Sequence, residues 1–179
     1  MSQKRTLYTI YILNFFLAFS IAIPAYFNST FLKEYTSEKF VGLIFTVGSF
    51  LTLIAFANMP RVLRALTNYK TIISLLLLQI VLLLTLSASS TILLIAPIFI
   101  LYWTVIPLLR FNLDIFLESQ STDEETGRIR GIFLTSANIA WVFAPAIAGL
   151  ILTNGDYWKT FLTSSLLILP MIYLVRTRL

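Results

Sequence analysis

Six long apolar runs alternate with short polar stretches along this chain. The runs cover about 7–27, 40–57, 71–90, 92–116, 131–153 and 157–175. Each is close to the roughly 20 helical residues that cross a bilayer core. Period-two alternation is missing from them. Leu75-Leu76-Leu77-Leu78 and Ile92-Leu93-Leu94-Ile95 are apolar at every position, whereas a membrane barrel strand alternates. A lipid-exposed span must satisfy its own backbone polar groups, so the runs predict helices. The expected fold is an all-α membrane protein, a single bundle of six transmembrane helices over residues 1–179.

Composition supports the bilayer as solvent. Hydrophobic residues make up 58% of the 179 and charged residues only 12%. An ordinary soluble domain is about 25% charged. Mean hydropathy is +0.88. The net charge of +5 comes from 13 basic and 8 acidic residues. The basic ones fall in small groups between apolar runs, with no basic face, so they point to membrane topology rather than nucleic acid. Ten lie on one side of the expected bilayer: Lys4, Arg5, Arg61, Arg64, Lys70, Arg110, Arg128, Arg130, Arg176 and Arg178. Three lie on the other, Lys33, Lys39 and Lys159. That asymmetry places both termini in the cytoplasm of a multi-pass protein of the plasma (inner) membrane. Lys4 and Arg5 also precede the first run as they would a signal peptide. The run is longer than a 7–15-residue signal core and five more follow, so an uncleaved first helix is expected.

The chemistry on offer is narrow. There is no Cys and no His, which excludes disulfides, thiolate chemistry and the usual zinc sites. The commonest general acid–base residue is absent too. No G-x-x-x-x-G-K-[ST] phosphate loop occurs. Neither a cofactor, a metal nor an enzyme activity is expected. The outer connections, 28–39, 87–91 and 154–156, read as polar turns without chemistry.

The informative stretch is 110–149. Arg110, Asp114 and Glu118 stand at i, i+4 and i+8 and share one face of the fourth helix. Arg110 would lie roughly 27 Å along it, at the cytoplasmic edge of the hydrocarbon. The trio reads either as a snorkelling arginine with two interfacial carboxylates or as a charge relay that makes and breaks between helices. With Arg128 and Arg130 it forms an expected cytoplasmic charge cluster. Thr122-x-x-Glu125 reads as a capping box, with Asp123 and Glu124 favoured by the helix start and Glu124 four residues before Arg128. Gly127 and Gly131 form one ridge of small residues. Ala140, Ala144, Ala148 and Gly149 form a second, bent by Pro145. Pro24 and Pro107 interrupt the first and fourth runs, which suggests two inverted three-helix repeats with a site between them. Polar or aromatic side chains within the runs would line that path: Asn14, Gln79, Tyr102, Trp103, Asn112, Asn138 and Trp141. Any one of these is more often helix–helix glue or an interface anchor.

Ala140-x-x-x-Ala144-Pro145-x-x-Ala148-Gly149 resembles the G-x-x-x-G-P-x-x-G-G antiporter motif of the major facilitator superfamily, with Ala for three of the Gly residues. Asp114…Glu118…Glu125-Thr126-Gly127-Arg128-Ile129-Arg130-Gly131 resembles that family's connection between its fourth and fifth helices. Residues 59–70 stand where the family carries G-x-x-x-D-R-x-G-R-R. Here no Asp precedes Arg61, and Thr67 replaces an expected Gly. Arg110 is similar to the arginine of the family's fourth-helix motif, without the following Gln-Gly.

The resemblance covers the whole chain and half of the family's usual twelve helices. It implies an N-terminal six-helix half that moves a small solute by alternating access, possible efflux included. It also implies a second six-helix half: a separate chain, a missing C-terminal half, or a second copy. A truncated reading frame is the expectation. Two readings of other classes stand beside it, a six-span membrane scaffold and an ABC-type permease subunit that needs a separate ATPase.

Overall fold

A computed structural model describes residues 3–121, 125–153 and 155–179. No strand occurs among them. Helix α1 spans Gln3–Ala25, α2 Asn28–Lys33, α3 Glu38–Ala88, α4 Ile92–Glu118, α5 Thr126–Ile151 and α6 Tyr157–Arg178. Five helical segments are long and apolar enough to cross a membrane, with α1 and α2 together forming one of them.

Six spans were expected, and the difference lies in α3. A straight helix of its 51 residues would be about 75 Å long at 1.5 Å per residue. Instead the helix breaks at Thr67, whose φ of 62° and ψ of 157° are not helical. The first arm, 38–66, and the second, 68–88, run in opposite directions. Phe40 lines a surface cavity with Ile92 at the start of α4. Leu86 and Ala88 line another with Tyr35 and Tyr157. Both free ends of α3 therefore sit at one end of the bundle. The break sits at the other, where Asn68 Nδ2 donates to Asn112 O at 3.1 Å. The expected spans 40–57 and 71–90 are the two arms. Residues 59–66, expected as a basic loop, continue the first arm as helix, so the turn is confined to the residues around Thr67. A β-branched residue at this φ and ψ stores about 1–3 kcal/mol of strain.

Neighbour directions follow from paired contacts. Asn14 meets Phe133 and Ser136, and further along Ala22 and Ile23 meet Ala144 and Ala148, so α1 and α5 run parallel. Phe45 meets Phe99 and Phe56 meets Phe111, so the first arm of α3 runs parallel to α4. Ser20 donates to Ser164 O at 3.0 Å and Phe31 meets Tyr157, so α6 runs antiparallel to α1. The largest core cluster joins α1, both arms of α3, α4 and α6 around Leu17, Leu76, Phe99, Tyr102 and Phe161. Helix α5 stays at the margin. In its most apolar eighteen residues 17% are buried, against 56% for α1 with α2.

Two local expectations change. The connection after α1 is partly helical: Asn28, Phe31 and Leu32 of α2 are buried, because Phe31 packs edge-on against Phe161. The start of α5 among the described residues differs from the capping box as read. Glu125 occupies the N-cap itself and makes no side-chain cap bond; Thr122, Asp123 and Glu124 lie outside the described residues, and with them the Glu124–Arg128 pair.

Gln3 Nε2 donates to Gln120 O at 2.8 Å, and Leu179 packs near Ile10, Leu117 and Ile129. Both termini and the α4–α5 connection thus share one end of the bundle. The opposite end holds Lys33, paired with Glu38, and Lys159, paired with Asp156. The hydrogen bond from Lys33 holds the Glu38 carboxyl below the usual carboxylate range. Lys159 does the same for Asp156.

Candidate functional site: a cleft between α1, α4 and α5

Helices α4 and α5 both lie against α1 but scarcely touch each other. The space between them is a cleft of two chambers. The outer chamber, about 470 Å³, is lined by Asn14 of α1, Phe56 of α3, Pro107, Arg110, Phe111 and Asp114 of α4, and Arg130, Phe133, Asn138 and Trp141 of α5. The inner chamber, about 260 Å³, is lined by Ile21, Ala25, Asn28, Tyr102, Trp103, Ile106, Pro107, Arg110 and Trp141. Pro107, Arg110 and Trp141 belong to both and form the neck between them.

Local sequence explains why the cleft exists. Ala144 and Ala148 are fully buried against Ala22 and Ile23. Their lack of bulk lets α5 approach α1 closely, the use small residues have where no hydrophobic drive joins helices. Closer to the Glu118–Arg130 pair, Asn14 Nδ2 donates to Phe133 O at 2.6 Å and to Ser136 Oγ at 3.1 Å. These contacts fix α5 along α1. Helix α4 is held instead by α3: the Trp103 ring covers Gly48, and the Thr104 hydroxyl lies 3.2 Å from Gly48 O. With α4 and α5 committed to different partners, the gap between them stays open. Pro107 leaves α4 continuous.

The charges do not pair as the helical spacing suggests. Glu118 binds Arg130 across the α4–α5 gap, and no ion pair joins Arg110 to Asp114 among the described residues. Both line the outer chamber, with no ion-pair partner among the described residues. Glu118 instead reaches a second helix, and Arg110 lines the neck.

The structure brings together Asn14, Tyr102, Trp103, Arg110, Asp114, Arg130, Asn138 and Trp141 around the two chambers. Five expectations fall elsewhere. Gln79 is buried in the second arm of α3, away from both chambers. Asn112 is fully buried and donates to Leu108 O of its own helix. Arg128 lines a separate surface groove with Lys4, Tyr8 and Tyr11. Gly127 and Gly131 have open space where a side chain would be, so that ridge seats no helix of this chain. Pro145 and Gly149 face outward from the seam that Ala140, Ala144 and Ala148 make. Two site residues escaped sequence reading. Asn28 looked like part of a polar turn and Gly48 like an ordinary helical glycine; no periodicity marks either.

No protein-family model matches the chain, and no curated protein and no solved structure matches it.

Proposed function

We propose that this chain is one six-helix half of a membrane transporter of the major facilitator type, moving a small solute by alternating access. The observation that carries this reading is the cleft. Two arginines, four aspartate or asparagine side chains and two tryptophans converge on one open side of an otherwise apolar bundle. Ionisable groups at membrane depth are costly and cluster on solute or ion paths.

Counting the arms of α3 separately gives six crossings. Exchanging the first three crossings with the last three turns the α1–α5 contact into the contact between α4 and the first arm of α3. Both of these seams are parallel, which supports the inverted-repeat reading. The ten basic residues near the end that carries both termini, against a far end whose Lys33 and Lys159 are paired, support a plasma-membrane protein with cytoplasmic termini. A second six-helix half closing the cleft, whether a separate chain, a C-terminal half or a second copy, completes the path. Rocking of one half on the other then exposes the neck to each side in turn.

Because the chain has no cysteine, single cysteines report water access without background. Asn138→Cys and Arg110→Cys should react with a membrane-impermeant maleimide in inside-out vesicles, and Leu150→Cys, on the exposed outer face of α5, should not. Liposomes holding the chain together with its closing half should show solute flux that Asn138→Leu depresses. Unreactive cysteines at both cleft positions, or flux indifferent to them, would overturn the reading.

A further inference from the structure

The inner chamber holds more hydrogen-bonding capacity than the fold uses, and its charge is of one sign. Asn28 and Tyr102 are 3% and 0% exposed. Both line the chamber. Neither Asn28 Oδ1 nor the Tyr102 hydroxyl makes a well-formed hydrogen bond among the described residues, although the two side chains lie near enough to interact with each other. Leaving such an atom unsatisfied costs about 1–3 kcal/mol, and buried polar groups are satisfied in the great majority of cases. Among the described residues, Arg110 is the only charged one lining this chamber. Asp114 and Arg130 line only the outer one, and Arg130 is already held by Glu118.

The layout is therefore a cation at the neck, a buried acceptor and hydroxyl at the far end, and apolar walls between. Tyr102 and Arg110 lie about 12 Å apart along α4, from the rise per residue, and the arginine side chain spans part of that. Trp103 and Trp141 supply the walls. An inorganic anion could meet Arg110 but could not also reach Asn28. A cation would be repelled by Arg110, and a neutral apolar solute would leave all three polar groups unanswered. We infer that the inner chamber binds a small organic monoanion, its charged end on Arg110 and a hydroxyl or amino group at its other end on Asn28 and Tyr102.

This assignment names the solute class for the transport reading and rests on it for its biological sense. Binding is measured without flux, so the two fail separately. The probe is para-hydroxybenzoate, titrated into the chain in nanodiscs and followed by tryptophan fluorescence, since Trp103 and Trp141 face the chamber. Benzoate, which lacks the far hydroxyl, and para-hydroxybenzyl alcohol, which lacks the charge, are the comparisons. Arg110→Gln should weaken para-hydroxybenzoate about tenfold or more, the loss of a charge-assisted bond. Tyr102→Phe should weaken it about fivefold, the loss of a neutral one, and should leave benzoate unchanged. Arg110 is exposed and Phe matches Tyr in shape, so both variants should fold; unchanged helical circular dichroism checks this. No saturable binding to the unmodified chain, or equal binding by the Arg110→Gln variant, would sink the assignment. Anion binding without flux would leave it standing and count against transport; flux of neutral solutes alone would do the reverse.

Discussion

Two parallel seams flank the cleft, and they are built from opposite materials. Between α1 and α5 the contact is small on small: Ala144 and Ala148 lie against Ala22, with Ile23 beside them. Between the first arm of α3 and α4 it is nothing against very large. A Cβ on Gly48 would stand 3.0 Å from Trp103 Cδ1, and the Trp103 ring itself stacks at 13° on Phe99 and meets Phe45 edge-on. Both seams solve the same problem of joining helices where lipid removes the hydrophobic drive. The first spreads the close approach over two turns. The second concentrates it at one residue. A distributed seam should tolerate one fault by shifting; a concentrated seam should not.

The largest effect should therefore come from Gly48. Gly48→Leu places a branched side chain where the indole already lies, and overpacking of this kind costs about 1–3 kcal/mol or more. In detergent the variant should lose helical circular dichroism well below the temperature at which the parent does. Trp103→Ala opens the same space, so the double variant should be more stable than the two single effects added together. Additivity would mean that the two residues do not share one contact.

Ala144→Leu attacks the other seam. It should be destabilising by about 1–2 kcal/mol, at the lower end of overpacking, because α5 packs chiefly on α1 and can move outward. The widened cleft should show as faster maleimide labelling of Asn138→Cys in the Ala144→Leu background. A loss as large as that of Gly48→Leu would remove the contrast between the seams.

The two seams also differ in how far the chain announces them. Ala140, Ala144 and Ala148 recur every four residues, and that periodicity is visible without coordinates. Gly48 is one glycine among apolar neighbours, and its role depends on Trp103, 55 residues later. The helices were legible because apolar run length is a bulk property set by bilayer thickness. The merging of residues 59–66 into the first arm was not, since polar residues at a membrane surface are as content in helix as in loop. In the site, Arg110, Asn138 and Trp141 stood out as polar or aromatic residues inside apolar runs. Asn28 did not, because it follows Pro24 in a polar stretch. Nor did the Arg130–Glu118 pair, which required knowing that α4 and α5 come within reach at the end of the bundle that carries both termini.

Thr67 sharpens the comparison from outside the contact. It is the hinge that lets the first arm reach α4, and its φ of 62° is one a β-branched residue adopts only under strain. Thr67→Gly should relieve about 1–3 kcal/mol of strain and give back about 0.5–1 kcal/mol in chain entropy. The net expectation is a rise in melting temperature, with Asn68 still bonded to Asn112 O. It should also partly rescue Gly48→Ala, whose milder clash asks only for a small shift of the arm. It should not rescue Ala144→Leu, which loads a helix the hinge does not touch. A rescue of both would make Thr67→Gly a general stabiliser and uncouple the hinge from the seam.

The smallest expected differences come from the polar contact in each seam. Asn14 spans the α1–α5 seam with two donated bonds, to Phe133 O and Ser136 Oγ. The Thr104 hydroxyl lies within reach of Gly48 O across its seam, but also 2.8 Å from Ile100 O in its own helix, and a proton shared between two acceptors binds the longer one weakly. Interhelical hydrogen bonds in membranes average about 0.6 kcal/mol. Asn14→Leu removes two, so about 1 kcal/mol is expected, while Thr104→Val should fall below about 0.6 kcal/mol. The order matters more than the size. The distributed seam has weak packing at any one residue and should lean on its asparagine; the concentrated seam, with an indole seated on a glycine, should hardly notice its threonine. Steric trapping or mixed-micelle unfolding resolves differences of this size. If Thr104→Val proved the costlier of the two, the second seam would be held by its hydroxyl rather than by Trp103, and the Gly48→Leu result would have to be read as damage to that bond.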